Sequence, residues 1–412
     1  MKILNCLMMS QFVLHEVVTQ KDKRDFINFA TEIYKNDSNW VRPLDEDIES
    51  VFNAEKNGLF ADGEAIRWVV KDGAGKIYGR IAAFYSRHQA EANEQPTGGC
   101  GFFESVDNQD VANMLFDASR QWLEQKGMQA MDGPVNFGDR NFWWGLLTEG
   151  FTKPMYCQNY NPPYYQQLFE NYGFKNYFEQ YDYARELLPD RLNSSTYERA
   201  MRINETPGYE FKTLDLKQVD KFAEDFREIY NKGWAKFNGV NPISSEHARK
   251  LMATMKPILD PEVAYFAYFE GAPIGFFISI PDLNMLIGDF NGKFGIVNKL
   301  RMIWRLKKTR MASRLWGLIF GIVPEHQGKG VESGLIYMIE KLTMTGKSKY
   351  KNLEISWIGD FNPVMMRMVE TFVKASKLRT HVTYRYLFDR EKEFTRAPKL
   401  WRKRTPKPVT TE

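Results

Sequence analysis

Two stretches of this chain run through the same elements in the same order, and that repetition limits the fold more than any single motif. Residues 12–18 read as a strand and 23–34 as a helix. Residues 68–85 hold two apolar runs around an Asp-Gly turn, the pattern of a β-hairpin. Residues 101–106 are a further strand, and Asp107 or Asn108 caps a helix that carries Leu115, Trp122 and Leu123 at helical spacing before Gly127. A helix opened by Asn161-Pro162 and a strand over 178–184 complete the series. It then recurs: strand 211–216, helix 218–234, hairpin 264–282, strand 318–323 with a helix behind it, strand 353–358, a helix from Asn362-Pro363, and strand 380–388. Asn161 to Tyr183 and Asn362 to Tyr384 both span 22 residues. Order and spacing predict a tandem duplication of a mixed α/β unit, for which 412 residues is ample. The expected division is 1–190, a polar Pro/Gly linker at 191–208 with a short helical patch at 196–201, a second unit at 209–390, and a basic tail at 391–412.

The second unit contains the most specific local signal. Residues 318–323 form an apolar run, Gln327-Gly328-Lys329-Gly330 a tight turn, and Leu335, Ile336, Ile339 and Leu342 one face of a helix. Such a turn leaves backbone N–H groups converging at a helix N-terminus, which suits a phosphate-sized anion. No Ser or Thr follows the lysine, so this is not a Walker loop. The arrangement resembles the pyrophosphate-binding motif of the GCN5-related N-acetyltransferases (GNATs), with Gln327, Gly328 and Gly330 matching its pattern. Glu332 stands where that pattern has Gly or Ala; it either repels a pyrophosphate or points to solvent. The first unit lacks the turn, since residues 106–110 run directly into its helix. An acyl-CoA co-substrate is therefore expected on the second unit, held by Ile322, Val323, Gln327, Gly328, Lys329, Gly330, Ser333 and Asn362. The first unit is expected to be a structural partner or to help form the acceptor pocket.

Composition narrows the setting. Three cysteines without metal-ligand spacing and five scattered histidines give no support to a metal site and fit reduced thiols in the cytoplasm. The first ten residues lack the pattern of a secretory signal, and no apolar run is long enough to cross a bilayer. The net charge of +4 conceals a bias: eight basic residues and no acids lie between Lys293 and Arg314, and six more between Arg396 and Lys407. The first patch belongs to an insertion, 293–316. On a helix it presents Ile296, Leu300, Ile303 and Trp304 on one side and Arg301, Arg305 and Lys308 on another. That is the profile of a helix lying on an anionic membrane surface, where each basic residue adds roughly 1 kcal/mol. A solvated helix packed on its own domain fits equally. No nucleic-acid motif accompanies the charge. Trp401 among Arg402, Lys403 and Arg404 extends the same theme.

A narrower likeness rests on the strings beginning at Asp132 (Asp-Gly-Pro-Val-Asn-Phe), Gly150 (Gly-Phe-Thr-Lys-Pro), Tyr160 (Tyr-Asn-Pro-Pro-Tyr-Tyr), Pro281 (Pro-Asp-Leu-Asn) and Glu354 (Glu-Ile-Ser-Trp-Ile), with Asn362 and Thr383-Tyr384-Arg385. These resemble the bacterial ceramide synthase-like N-acyltransferases over roughly 18–388. The resemblance implies an α+β (mixed α/β) fold of two tandem GNAT-like domains, each a mixed twisted sheet flanked by helices. It also implies transfer of a fatty acyl group from acyl-CoA to a sphingoid-type or other amphiphilic amine; with the cysteine usage and the amphipathic insertion, the expected location is the cytoplasm, peripheral to the inner face of the membrane. Leu387 departs from the family, which has tyrosine there. An acetyltransferase for a small soluble or protein amine, or a non-catalytic acyl-CoA or lipid-binding protein, are the alternatives.

Transfer to an amine needs a group to take its proton. The candidates are Glu354, an acid among apolar strand residues, and Asp282 at a strand end. Glu354 paired with an arginine such as Arg385, and Asp282 as a turn cap, are their plain readings. Val369 occupies the position where related enzymes carry a tyrosine acid, leaving Tyr384 as a candidate for protonating the thiolate. Asn284, Trp357, Tyr164 and Tyr165 are the candidates for contact with the acceptor; packing is the plain reading for the tyrosines.

Overall fold

The computed structural model describes residues 12–188, 194–233, 242–346 and 348–399; expectations for residues 1–11, Trp234 and 400–412 fall outside them. The first series is β1 (Phe12–Glu16), α1 (Gln20–Ile33), α2 (Asp45–Val51), β2 (Gly63–Asp72), β3 (Ile77–Ser86), α3 (Arg87–Glu91), β4 (Thr97–Ser105), α4 (Gln109–Gln125), β5 (Ala130–Gly133), β6 (Leu146–Glu149), α5 (Tyr165–Tyr172) and β7 (Lys175–Glu186). Next come α6 (Ser194–Glu205), β8 (Tyr209–Thr213), α7 (Val219–Gly233), α8 (Ser245–Met255), β9 (Ala264–Phe269), β10 (Ala272–Pro281), α9 (Asn284–Ile287), α10 (Ile296–Lys308), β11 (Arg314–Ile322), α11 (Val331–Met344), β12 (Asn352–Gly359), α12 (Pro363–Met368) and β13 (Ser376–Leu387). Local chemistry explains the starts of several helices. Thr19 and Asp22 form a reciprocal capping box on α1. Asn108 accepts from Asp110 and Val111 at the start of α4, and Asn362 caps α12 with Pro363 at its first position.

The duplication and the mixed α/β class are as expected; the connectivity is not. Among the described residues all strands join one sheet in the order β1-β2-β3-β4-β5-β13-β7-β12-β11-β10-β9-β8, with β6 attached to β13. The final strands are exchanged. β7, from the first series, pairs with β12 of the second, and β13, from the second, pairs with β5 of the first. They meet each other antiparallel in the middle of the sheet. The cores follow: Tyr181 and Tyr183 of β7 pack among Phe226, Phe276 and Leu335, while Val382 and Tyr384 of β13 pack among Phe103, Phe116 and Phe169. The two tyrosines identified by their common spacing make matching bonds, Tyr183 to Glu370 at 2.9 Å and Tyr384 to Glu170 at 2.8 Å.

The insertion is helical, but its charges are partly spoken for. Arg301 and Arg305 pair with Asp289, and Lys293 with Asp45. Arg314 is the first residue of β11 rather than part of a surface patch. Met302 and Leu306 anchor α10 on Leu283, Leu286 and Phe290. Ile296, Val297, Leu300 and Trp304 remain 60–71% exposed, beside exposed Lys299, Lys307 and Lys308. No described helix is long and apolar enough to cross a membrane.

Candidate active site

The parallel strands β11 and β12 pair only from Arg314 opposite Asn352 to Gly317 opposite Ile355. Beyond that they part: β11 continues on β10 as far as Ile322, and β12 rejoins β7 at Ile358 after an irregularity at Ser356 and Trp357. The opening lies between the strand ends, and the glycine turn closes one side of it. Gly328 and Gly330 have φ of 75° and 97°, left-handed values that cost a side-chain-bearing residue energy. Gln327 donates to the Ile322 carbonyl at 2.8 Å, tying the turn to the strand that ends in Ile322 and Val323. The first amides of α11 have no intrahelical partners, and Lys329 stands exposed beside them. Ser333 is fully buried, with its hydroxyl unpartnered. Glu332 does not reach solvent, as one reading expected; it is buried with Oε2 unpartnered. The matching helix start in the first half is closed by the Asn108 cap. The corresponding gap between β4 and β5 is filled, since a Cβ on Gly101 would lie 1.9 Å from the Val135 carbonyl.

Glu354 and Asp282 sit together at the paired end of the opening, tied by arginines. Arg314 donates to Glu354 Oε1 at 2.9 Å and to Asp282 Oδ2 at 2.6 Å; Arg379 donates to Glu354 Oε2 at 2.8 Å. The partners of Glu354 are thus Arg314 and Arg379. Arg385 is engaged elsewhere, forking onto Asp132 at 2.6 and 2.8 Å. The same guanidiniums hold the carbonyls of Lys153 and Pro154, joining a loop of the first half to the strands of the second. Each Glu354 oxygen accepts from an arginine, so the carboxylate is held in ion pairs on both sides. Asp282 is fully buried and caps the Asn284 N–H at 3.0 Å, and Asn284 Nδ2 bonds the Pro154 carbonyl.

A small cavity of about 20 Å³ adjoins the opening, lined by Trp316, Ser356, Trp357, Trp144, Gln158, Asn159, Gln180, Asp182 and His381 among others. Its walls hold buried groups without partners: the indole N–H of Trp144 and of Trp316, the Ser356 hydroxyl, and Asp182 Oδ1. Buried polar atoms are nearly always paired, so several orphans around one space mark a place where a ligand or water completes the bonding. His381 Nε2 lies 3.0 Å from the Asn159 carbonyl, and burial holds the imidazole below its ordinary pKa. Trp357 Nε1 bonds the Arg140 carbonyl at 3.0 Å. Asp182 and His381 were not among the residues singled out from sequence. The signal that marked Glu354, an acid inside an apolar strand, applies equally to Asp182 between Tyr181 and Tyr183.

A larger cavity of about 70 Å³ shares Trp143, Met155, Gln158 and Asn159 with the small one and extends to Trp40, Glu104, Tyr165 and Asn284. Tyr165 and Tyr34 both donate to Glu104 Oε2 at 2.8 Å, and Arg80 reaches Oε1 at 3.3 Å. Tyr164 donates to the Ser105 carbonyl. Tyr384 is removed from the opening by the strand exchange: it is buried in the first-half core and bonded to Glu170. Asn362 spends its side chain on the Met365 N–H, and Val369 is fully buried.

No family model matches the chain. Among curated proteins it is 27% identical over 369 residues to Protein YghO of Escherichia coli (strain K12), covering 87% of this chain and 92% of that one. It is 25% identical over 372 residues to the bacterial ceramide synthase of Caulobacter vibrioides (strain NA1000 / CB15N), covering 89% and 95%. Among solved structures it superposes on a tandem GNAT protein from the clavulanic acid biosynthesis pathway with a TM-score of 0.53 at 10% identity, over 92% of this chain and 99% of that one. The GCN5-related glucosamine N-acetyltransferase region of a fungal multi-domain β-N-acetylglucosaminidase gives 0.52 at 12% identity, over 92% and 38%. The chain is a tandem GNAT-fold protein, similar along most of its length to a bacterial ceramide synthase.

Proposed function

We propose that this chain is an acyl-CoA-dependent N-acyltransferase whose acceptor is a primary amine on a long-chain, sphingoid-type or similar amphiphile. The observation that carries the reading is the parting of β11 and β12 beyond Gly317 and Ile355, with the glycine turn on one side and the small cavity on the other. Parted strands leave backbone N–H and C=O groups free to pair with the amide-bearing arm of a CoA thioester, as an added strand does. The pyrophosphate then meets the amides of Gly328 to Ser333 and Lys329, and the Ser333 hydroxyl gains an acceptor. A catalyst for acyl transfer needs hydrogen-bond donors where the carbonyl oxygen becomes negative; the Trp316 and Ser356 side chains, buried and unpartnered, are suited to that. The relative named bacterial ceramide synthase supports an amphiphilic acceptor.

Such an acceptor resides in a bilayer, so the enzyme needs an approach to its surface. The exposed row Ile296, Val297, Leu300 and Trp304, flanked by Lys299, Lys307 and Lys308, has the character of an interfacial helix. We place the protein in the cytoplasm, peripheral to the inner face of the membrane. The larger cavity of the first half, which reaches Asn284 at the foot of the insertion, lies on the acceptor's side. The test is release of thiol from acetyl-CoA and from a long-chain acyl-CoA, each with and without a long-chain amine. Release that requires both the long acyl donor and the amine supports the proposal. Release from acetyl-CoA with a soluble amine replaces it with a small-amine acetyltransferase, and binding of CoA without release replaces it with a binding protein.

A further inference from the structure

The three carboxylates of the central cluster, Asp182, Asp282 and Glu354, face two guanidiniums, Arg314 and Arg379. Within these ion pairs three carboxylates share two guanidiniums, and the geometry shows which is the least closely held. Asp282 and Glu354 are each bonded by arginine at 2.9 Å or less. Asp182 is fully buried; its Oδ2 takes a bond from the Gln158 amide and has Arg379 at 3.5 Å, while Oδ1 has no partner. A buried carboxylate oxygen in that condition calls for a donor, and a charged one best.

His381 faces the same carboxylate, its Nδ1 being 3.8 Å from Asp182 Oδ2. A backbone carbonyl only accepts, so the bond to Asn159 makes Nε2 the protonated nitrogen and leaves a lone pair on Nδ1. Two acceptors thus face each other with no proton between them. A group with several N–H bonds satisfies both at once. The cavity is about the size of one water, which also suits the nitrogen end of a primary amine. Its other wall carries the unpartnered donors Trp316 and Ser356, on the two strands that part.

We propose that Asp182 and His381 receive the acceptor amine of this acyl transfer, the carboxylate anchoring its ammonium and the imidazole taking the proton its nitrogen gives up. The proposal rests on the acyl-transfer reading above and assigns to His381 the role that sequence assigned to Glu354. The ammonium arrives with three N–H protons. One is lost to solvent, giving a neutral amine. As the C–N bond forms and the C–S bond breaks, a second passes to His381 Nδ1, and the imidazolium returns it to the departing thiolate; the third stays on the amide. Burial lowers the pKa of the imidazole, which favours the neutral form this task needs. The charged groups around it are Asp182 on β7, Arg379 on its own strand, and Arg140 from the opposite wall.

The experiment uses the full chain, a long-chain acyl-CoA and a long-chain primary amine. Turnover by the unaltered protein is required first; its absence with every pairing overturns the acyl-transfer reading itself. Given turnover, His381→Gln is expected to lower kcat by about 100-fold or more, with acyl-CoA affinity unchanged. The neutral amine forms by loss of a proton to solvent in both proteins, so a weakly basic hydroxylamine-type acceptor, already neutral, should not close the gap between them. Asp182→Asn should raise the KM for the amine about 10-fold and spare acyl-CoA binding. Rates within a few-fold of the unaltered protein for both variants overturn the proposal. Should either variant misfold, nitrogen NMR of the unaltered protein decides. A His381 Nδ1 that is unprotonated at rest and shifts when the amine is added supports the proposal; an Nδ1 that is protonated and unmoved overturns it.

Discussion

Replacing Glu354 by glutamine separates two roles that sequence alone leaves together. The side chain is 6% exposed and accepts one bond from Arg314 and one from Arg379, themselves 13% and 1% exposed. Glutamine keeps the shape but turns one of the two accepting atoms into an NH2 donor facing a guanidinium, and it removes the charge from both contacts. Bonds to charged partners contribute about 1.5–3 kcal/mol each, and breaking a buried pair from one side costs about 3–5 kcal/mol. Arg379 has a fallback in Asp182, 3.5 Å away, which sets the expected loss near the lower end, about 3 kcal/mol. Urea denaturation followed by tryptophan fluorescence reads this as a lower midpoint at unchanged slope. Activity should fall in parallel, because Arg379 drawn toward Asp182 competes with the amine. An unaltered midpoint accompanied by complete loss of turnover refutes this reasoning and makes Glu354 the chemical base instead.

Three further outcomes follow from the same architecture. Leu300→Ser with Trp304→Ser should abolish flotation with anionic liposomes while leaving the denaturation midpoint unchanged, since both side chains are at least 60% exposed; undiminished flotation removes the membrane role of α10. Co-expressed fragments 1–188 and 194–412 should copurify as a folded pair, whereas either alone should be insoluble, because each lacks the strand that completes its half of the sheet; a soluble, folded single fragment contradicts the exchange. His381 is held below its ordinary value of 6.5 by burial, so the folded chain binds fewer protons there than the unfolded one. That contribution to stability is fully present above about pH 6.5 and is lost as pH falls through the lower folded value; subtracting the pH profile of His381→Gln isolates it, and an identical pair of profiles rules it out.

Element order was legible because each helix and strand advertises its own period and caps. Asn108, Thr19 and Asn362 act on neighbours a few residues away, and the glycine turn is a local object. What a strand pairs with is not local. The apolar alternation of β7 and of β13 suits either half equally, so nothing in residues 178–184 announces that their partner lies at 352–359. The assignment of Tyr384 to the thiolate failed for this reason. Charge was misread in the same way: counted by sequence, residues 293–314 form a cationic block, yet Asp45, Asp289, Asp282 and Glu354 neutralise much of it from outside the block. Glu354 is paired, as its plain reading held, but the register of β13 selects Arg379 rather than Arg385.

The exchange also bears on why only one half would carry chemistry. In a duplicated sheet without it, each opening between parallel strands would be walled by residues of its own half. Here β7 and β13 lie side by side at the centre, so Asp182 from the first series and His381 from the second line one cavity with Trp316 and Ser356. The other opening, between β4 and β5, is plugged by the chain at Val135 and its helix is capped by Asn108 instead of a glycine turn. On the proposed reading a filled opening binds no thioester, while its half still lines the other cavity with Asp182, Gln158 and Asn159. On that reading the first half serves as a wall of the second half's cavity, and substitutions there that leave the β4–β5 plug intact but alter Gln158 or Asp182 should act on the acceptor amine rather than on acyl-CoA.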